Sequence, residues 1–154
     1  MAPILDLIGF RLKGIRISER SPLGDNTDKE GQIGLRYEQE VNPNNHRQYK
    51  LVMKVKYVPP FAEGKPTAPE AEGEIEGFFQ VPENTPEERK EHIAKLYGCA
   101  MLYGVLRGQF SIVGGSFNSG TVILPALNMA EIIQTVEERG LDESSSKEKE
   151  QVTN

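Results

Sequence analysis

The sequence predicts an α+β domain in which strands from the first half of the chain are covered by a long helix and a short C-terminal helix from the second. Three observations predict it. Apolar residues alternate with polar ones in several stretches between Phe10 and Val81, the period of a half-buried strand. From Ile93 the period lengthens to that of a helix. The two patterns are also segregated along the chain, as they are in α+β domains. At 154 residues there is material for one core and not for two, so residues 1–140 are expected to form a single domain.

Phe10 and Leu12 alternate on one parity and Ile15 and Ile17 on the other, with Gly14 between them. A parity change at a glycine predicts one bulged strand or two short ones. Ser21 to Gly31 is rich in turn formers and charge and reads as an exposed loop. Ile33, Leu35 and Tyr37 share one face of the next strand, which should end before the turn cluster Asn42-Pro43-Asn44-Asn45. Tyr49, Leu51, Met53, Val55 and Tyr57 alternate with Lys50, Val52, Lys54 and Lys56, giving the clearest strand, apolar on one face and partly cationic on the other. Pro59-Pro60 closes it, and Phe61 to Gly73 reads as a loop. Ile75, Gly77, Phe79 and Val81 then face one way, and Glu74, Glu76, Phe78 and Gln80 the other. If the lysine and glutamate strands are antiparallel neighbours, opposite charges pair across the ladder, each pair worth about 0.2–1 kcal/mol.

Thr85, Pro86, Glu87 and Glu88 spell a capping box with proline at the first helical position, which sets the start of the long helix. Ile93, Leu96, Tyr97, Ala100, Met101 and Val105 form one apolar face, while Leu102, Tyr103, Leu106 and Phe110 fill a second. A helix apolar on more than one face is covered on more than one side, by a sheet, another subunit or both. Gly98, Gly104, Gly108, Gly114 and Gly115 each cost roughly 1 kcal/mol relative to alanine, which calls for close backbone approach or for a break near Gly114-Gly115. Asn118-Ser119-Gly120 should end this element, and Thr121 to Leu127 is an apolar connector. Asn128 with Glu131 signals a second helix with the stripe Ile132, Ile133 and Val136, stopping at Gly140. Residues 141–154 have almost nothing to bury and are expected to be a disordered polar tail.

The formal charge of −5, from 18 Lys+Arg and 23 Asp+Glu, argues against nucleic acid as a partner, because no basic excess exists to displace phosphate counterions. Cys99 alone excludes an intrachain disulfide and a Cys-rich zinc site. The first residues lack a basic start followed by an apolar core, and the apolar run Leu96–Leu106 is far short of the ~20 residues of a membrane span. A cytoplasmic protein without membrane insertion is expected. His46 falls in a turn and His92 in the polar first turns of the long helix, neither with a nucleophile in view. The Gly114–Gly120 segment follows a helix instead of a strand and lacks the Lys-Ser/Thr of a phosphate loop. No catalytic residue, metal or cofactor is expected. Phe78 among glutamates and Phe61 beside prolines are the aromatic residues suited to covering a subunit or holding another chain's apolar segment.

In order and spacing, these segments resemble the protein-export chaperone SecB family. Leu102-Tyr103-Gly104-Val105-Leu106-Arg107 is similar to that family's Leu-aromatic-Pro-Tyr-x-Arg segment, with Gly104 in place of the proline. Leu124-Pro125-Ala126-Leu127-Asn128-Met129 is similar to its Leu-x-Pro-hydrophobic-Asn-Phe segment before the last helix, and Glu76-Gly77-Phe78-Phe79 to the end of its last strand. The resemblance implies a four-stranded antiparallel sheet backed by two helices, assembled as a homotetramer, a dimer of dimers, through the long helices. It implies an ATP-independent holdase that keeps unfolded precursor polypeptides export-competent and passes them to the motor SecA. By position, the client groove would use Tyr37, Phe78, Leu127, Ile133 and Val136. The oligomer interface would use Tyr97, Met101, Gly104, Val105 and Gly108, and the motor-protein contact Glu19, Glu74 and Glu76. Relatives that serve as dedicated chaperones of an antitoxin in toxin–antitoxin systems are the nearest alternative. A small-molecule-binding or hydrolytic domain using His92 near the glycine segment is a distant one.

Overall fold

The computed structural model describes residues 2–20, 31–115 and 120–139. Alternating sequence produces β1 (Asp6–Ser18), β2 (Gln32–Asn42) and β3 (Asn45–Val58). A small hairpin of β4 (Phe61–Ala62) and β5 (Lys65–Pro66) precedes β6 (Glu70–Gln80). The long strands form a four-stranded sheet in the order β1-β6-β3-β2, antiparallel throughout, with β1 and β2 at the edges. The β2–β3 turn is made at Pro43-Asn44, where the Asn44 amide donates to Asn42 Oδ1 at 3.0 Å and the Arg47 amide to Asn45 Oδ1 at 3.1 Å.

The parity change at Gly14 is a bulge in one continuous strand: Leu12 pairs with Ile75 and Gly14 with Glu74, leaving Lys13 extra. A second bulge between Leu7 and Gly9 leaves Ile8 extra, with Gly9 following it as Gly14 follows Lys13, but Ile8 has the same parity as Phe10 and Leu12, so alternation alone does not reveal it. Together they keep Leu7, Phe10, Leu12, Ile15 and Ile17 beside Phe79, Gly77, Ile75, Gly73 and Ala71, on the face that the long helix packs against.

The stretch expected as a loop down to Gly73 is more ordered than its composition suggests. Glu63 and Gly64, at φ of 54° and 74°, make the β4–β5 turn. Phe61 is buried within its own chain, with the Arg20 guanidinium 4.6 Å from its ring centre. β6 begins at Glu70, because Ala71 and Gly73 are inward positions whose smallness admits the helix: a Cβ on Gly73 would lie 2.7 Å from the Phe110 ring.

The long helix, α1 (Glu87–Gly114), starts where expected, but the capping box is not formed. Pro86, with ψ of 138°, is the N-cap, no side chain caps the amides, and Glu87 pairs with Lys90 at 2.6 Å. The proline's extended backbone leaves Thr85 one residue too early to reach the first turn. Gly98 provides the close approach to the sheet, since a Cβ there would come within 2.3 Å of Leu51 Cδ1. Beneath α1 lie Leu51, Met53, Val55, Ile75 and Phe79, all fully buried. A second helix, α2, spans 129–139 and buries Met129 and Ile133. Two polar ties hold its approach: the Tyr103 hydroxyl donates to the Pro125 carbonyl, and Lys95 on α1 pairs with Glu137 at 2.7 Å. The expected loop over 21–30, the glycine segment at 116–119, the stop at Gly140 and the tail 141–154 lie outside the described residues.

Candidate functional site

Alternation on β2 turns Ile33 and Leu35 toward the helical layer, and the helical period turns Ile132 and Val136 of α2 back toward β2. All four are half-buried, as is Leu127 of the connector, because β2 is an edge strand that α1 meets only toward its far end, where Gln39 Nε2 donates to the Glu91 carbonyl at 3.1 Å. Between them runs a trough of about 580 Å³. Its apolar floor is these five side chains, and Thr135 and Arg139 close one rim. Gly34, Arg36, Lys54, Val55 and Lys56 of the β2–β3 pair and Glu72 of β6 complete its lining. With an apolar floor and a polar rim, the trough suits an extended chain better than a reacting small molecule.

Of the groove residues expected from the sequence, the structure brings Leu127 and Val136 together here. Tyr37 follows Leu35 on the same face of β2; its phenol is pushed up by burial, with neighbouring Lys95 pulling the other way. Ile133 points into the core at 3% exposure, while its neighbour Ile132 faces the trough. Phe78 lies on the other sheet face under the Arg11 guanidinium, 5.7 Å from the ring centre, and borders a separate depression of about 250 Å³ with Ile8, Gln48 and Lys50. Ile33, Leu35 and Ile132 were missed. The alternation of β2 was the available signal, but its position at the sheet edge depends on strand order.

Tyr97, Met101, Gly104, Val105 and Gly108 fall along one flank of α1 at helical spacing. Tyr97, Gly104 and Gly108 are exposed and Met101 and Val105 half-buried; Ile112 extends the flank at 73% exposure. A Cβ added to Gly104 or Gly108 would meet nothing within 4 Å, so no group of the described chain explains either glycine. Leu7, Phe10 and Leu12, on the same side of the sheet, are exposed too, giving a broad uncovered apolar surface along β1 and α1.

The three glutamates expected to meet a motor protein do not cluster. Glu76 is 4% exposed and takes Lys50 at 3.0 Å and Lys13 at 3.9 Å. The Lys50 hydrogen bond holds its carboxyl below the usual carboxylate range, against the burial that pushes it up. Glu74 is half-buried opposite Lys54. Glu19 lies beyond Ser18, which pairs with Glu70, about 20 Å along β6 from Glu76 at roughly 3.3 Å per residue. The lysines and glutamates do bridge β3 and β6, but diagonally, as Lys50–Glu76 and Lys56–Glu70 at 3.3 Å.

Among the described residues the sequence candidates His46, His92 and Cys99 are not brought together. His92 and Gly114 sit on the same helix about 33 Å apart at about 1.5 Å per residue. Burial pushes the Cys99 thiol up to about 12, against the pull of Lys95, which leaves it an inert core group. Among the described residues no cluster has the makings of a metal site, and no helix is long and apolar enough to cross a membrane.

No family model matches the sequence, and no curated protein matches it. Among solved structures, the Mycobacterium tuberculosis SecB-like chaperone Rv1957, in complex with a ChAD peptide from the Rv1956 HigA1 antitoxin, is similar with a TM-score of 0.51. The superposition covers 80% of this chain and 91% of that one, at 16% identity. This chain has a SecB-like fold. A protein of unknown function from Streptococcus agalactiae also aligns, with a TM-score of 0.47, 10% identity and coverage of 79% of this chain and 97% of that one. Within the SecB-like fold, the resemblance read from the α1 segment and the Leu124–Met129 connector coincides with the elements that frame the trough and the uncovered helix flank.

Proposed function

We propose that this protein is an ATP-independent holdase chaperone that binds extended apolar segments of unfolded polypeptides along the trough between β2 and α2. The single observation that carries the reading is the half-buried apolar floor of Ile33, Leu35, Leu127, Ile132 and Val136, open along a strand edge and without a catalytic group. Each side chain offers only partial burial, so affinity would come from several weak contacts, about 25 cal/mol per Å² of apolar surface covered, with rapid exchange between clients. The uncovered flank of α1 and the apolar face of β1 support assembly of the chain with copies of itself, as a dimer of dimers through the long helices. Several copies would place several troughs within reach of one client.

Two client classes fit a holdase. Export precursors handed to SecA are the first, but the dispersal of Glu19, Glu74 and Glu76 and the neutralisation of Glu76 give that motor contact little support. A dedicated antitoxin chaperone is the second, and the antitoxin peptide held by the SecB-like structural neighbour favours it. The test is suppression of aggregation of a denatured client without ATP, by the wild type and by Leu127→Ser/Val136→Ser. Protection by the wild type and its loss in the variant are expected; no binding of any unfolded chain at micromolar concentration refutes the holdase. Co-expression with a candidate antitoxin, with and without its C-terminal extension, separates the second class from the first.

A further inference from the structure

The trough stops at a polar bar. Ile33, Leu35, Tyr37, Gln39 and Val41 follow one another on the helix-facing side of β2, each opposite a residue of β3. Two cavities open along this row: the trough, at Ile33 and Leu35, and a second of about 340 Å³ at Gln39 and Val41, completed by His46, Tyr49, Glu87 and Glu91. They share no lining residue, and Tyr37 is the position between them. There α1 and α2 are joined across the row. Lys95 Nζ lies 2.7 Å from Glu137, which follows Val136 of the trough, and 4.0 Å from Glu91, which lines the second cavity. After burial, the charges that act most on the Tyr37 phenol are Lys95 and Glu137, which puts the pair beside it. Burial pushes the Lys95 ammonium down, but the Glu137 hydrogen bond and the charges around it more than reverse this, so the side chain stays charged at 17% exposure. Beyond the bar, Gln39 Nε2 donates to the Glu91 carbonyl while its Oε1 is buried with no hydrogen-bond partner. A chain passing the bar carries the main-chain N–H that this acceptor lacks.

We propose that the Lys95–Glu137 pair is a crossbar that sets how long a segment the trough holds. Closed, it confines an apolar segment to the stretch from Ile33 to Tyr37, about 13 Å at roughly 3.3 Å per residue, which suits about five extended residues. Removed, it lets the two cavities run together from Ile33 to Val41, about 26 Å or roughly nine residues. Lys95 and Glu137 are then the residues that decide segment length, while the apolar floor supplies the affinity. This inference rests on the holdase reading and adds to it the length of the bound segment and the pair that limits it.

The test uses the full-length protein and two neutral, fluorescein-labelled peptides of alternating leucine and serine, one of five residues and one of nine. In the wild type the longer peptide is expected to bind within about threefold of the shorter, because its extra residues cover no further apolar surface. In Lys95→Ala/Glu137→Ala the longer peptide should bind at least about tenfold more tightly than the shorter, whose own affinity stays within about threefold of wild type. Lys95→Glu/Glu137→Lys rebuilds the bar with its charges exchanged and should restore the wild-type pattern. A pair that merely fastened α2 would change both peptides alike. Lys95→Ala alone, which leaves the half-exposed Glu137 in water, carries the same expectation should the double variant fail to fold. A tenfold length gain already present in the wild type, or equal changes for both peptides in the variants, overturns the inference while capture of unfolded clients stands. Failure of both peptides to bind a wild type that still protects clients overturns it too. If unfolded clients are not held either, the holdase reading falls and this inference with it.

Discussion

Gly104→Ala with Gly108→Ala separates the two reasons a helix can carry glycine. In the isolated chain neither position touches anything: a Cβ at each has open space to 4 Å. Alanine is favoured over glycine in a helix interior by roughly 0.8–1 kcal/mol per site, so the double variant should stabilise the folded protomer by about 2 kcal/mol. For a chain of this size that is about 4–8 °C in melting temperature. If copies pack their α1 flanks closely, the added methyls instead hold the backbones apart, and the assembly should fall to a smaller species while each protomer melts higher. Light scattering reads the mass, and melting at two protein concentrations separates protomer stability from association. Gly98→Ala is the internal control. Its Cβ would come within 2.3 Å of Leu51 Cδ1 and 3.3 Å of Phe79, so overpacking should cost about 1–3 kcal/mol whatever the oligomeric state. The reasoning fails if the double variant keeps the wild-type mass and simply melts higher, or if the wild type is already a monomer.

Tyr103→Phe should cost about 0.5–1.5 kcal/mol by removing the donor to the Pro125 carbonyl, and should loosen the connector that positions Leu127; thermal melting together with client protection checks both. Glu76→Gln should be less stable than the wild type at neutral pH. Because the folded Glu76 carboxyl lies below its ordinary value of 4.5, its contribution is present above that value and lost as pH falls through the folded one, so acid titration of the urea midpoint should bring the two proteins together. At the alkaline end, Cys99 rises from 9.0 and Tyr103 from 10.0 to about 12 in the folded protein. The unfolded chain therefore loses those protons first, and stability should fall from pH 9 toward 12, less steeply in Cys99→Ala and Tyr103→Phe; equal slopes would argue against both groups being buried.

Much of the fold was legible because alternation and helical spacing record which side of an element is covered. Ile33, Leu35 and the Tyr49–Tyr57 series gave β2 and β3, and the parity change at Gly14 gave one bulge, whereas Ile8, in phase with Phe10 and Leu12, hid the other despite Gly9. Ala71 and Gly73 read as loop because small residues say nothing about burial until Phe110 is seen above them. Whether Phe61 covers its own core or another chain depends on Arg20, which is distant in sequence. Two of the five floor side chains were visible, Leu127 and Val136, but Ile132 and Ile133 are consecutive members of one apolar stripe, and only the packing angle of α2 makes one a trough wall and the other core.

The sequence by itself determined the periods, and hence the four long strands, both helices and the surplus of apolar surface on α1. Tertiary structure alone decided strand order, and with it that β2 is an edge, that Arg36 faces Lys54, and that Glu76 is enclosed by Lys13 and Lys50. The physical reason is that local periodicity fixes which way a side chain points along its own element, while its neighbours are set by contacts between residues far apart in the chain.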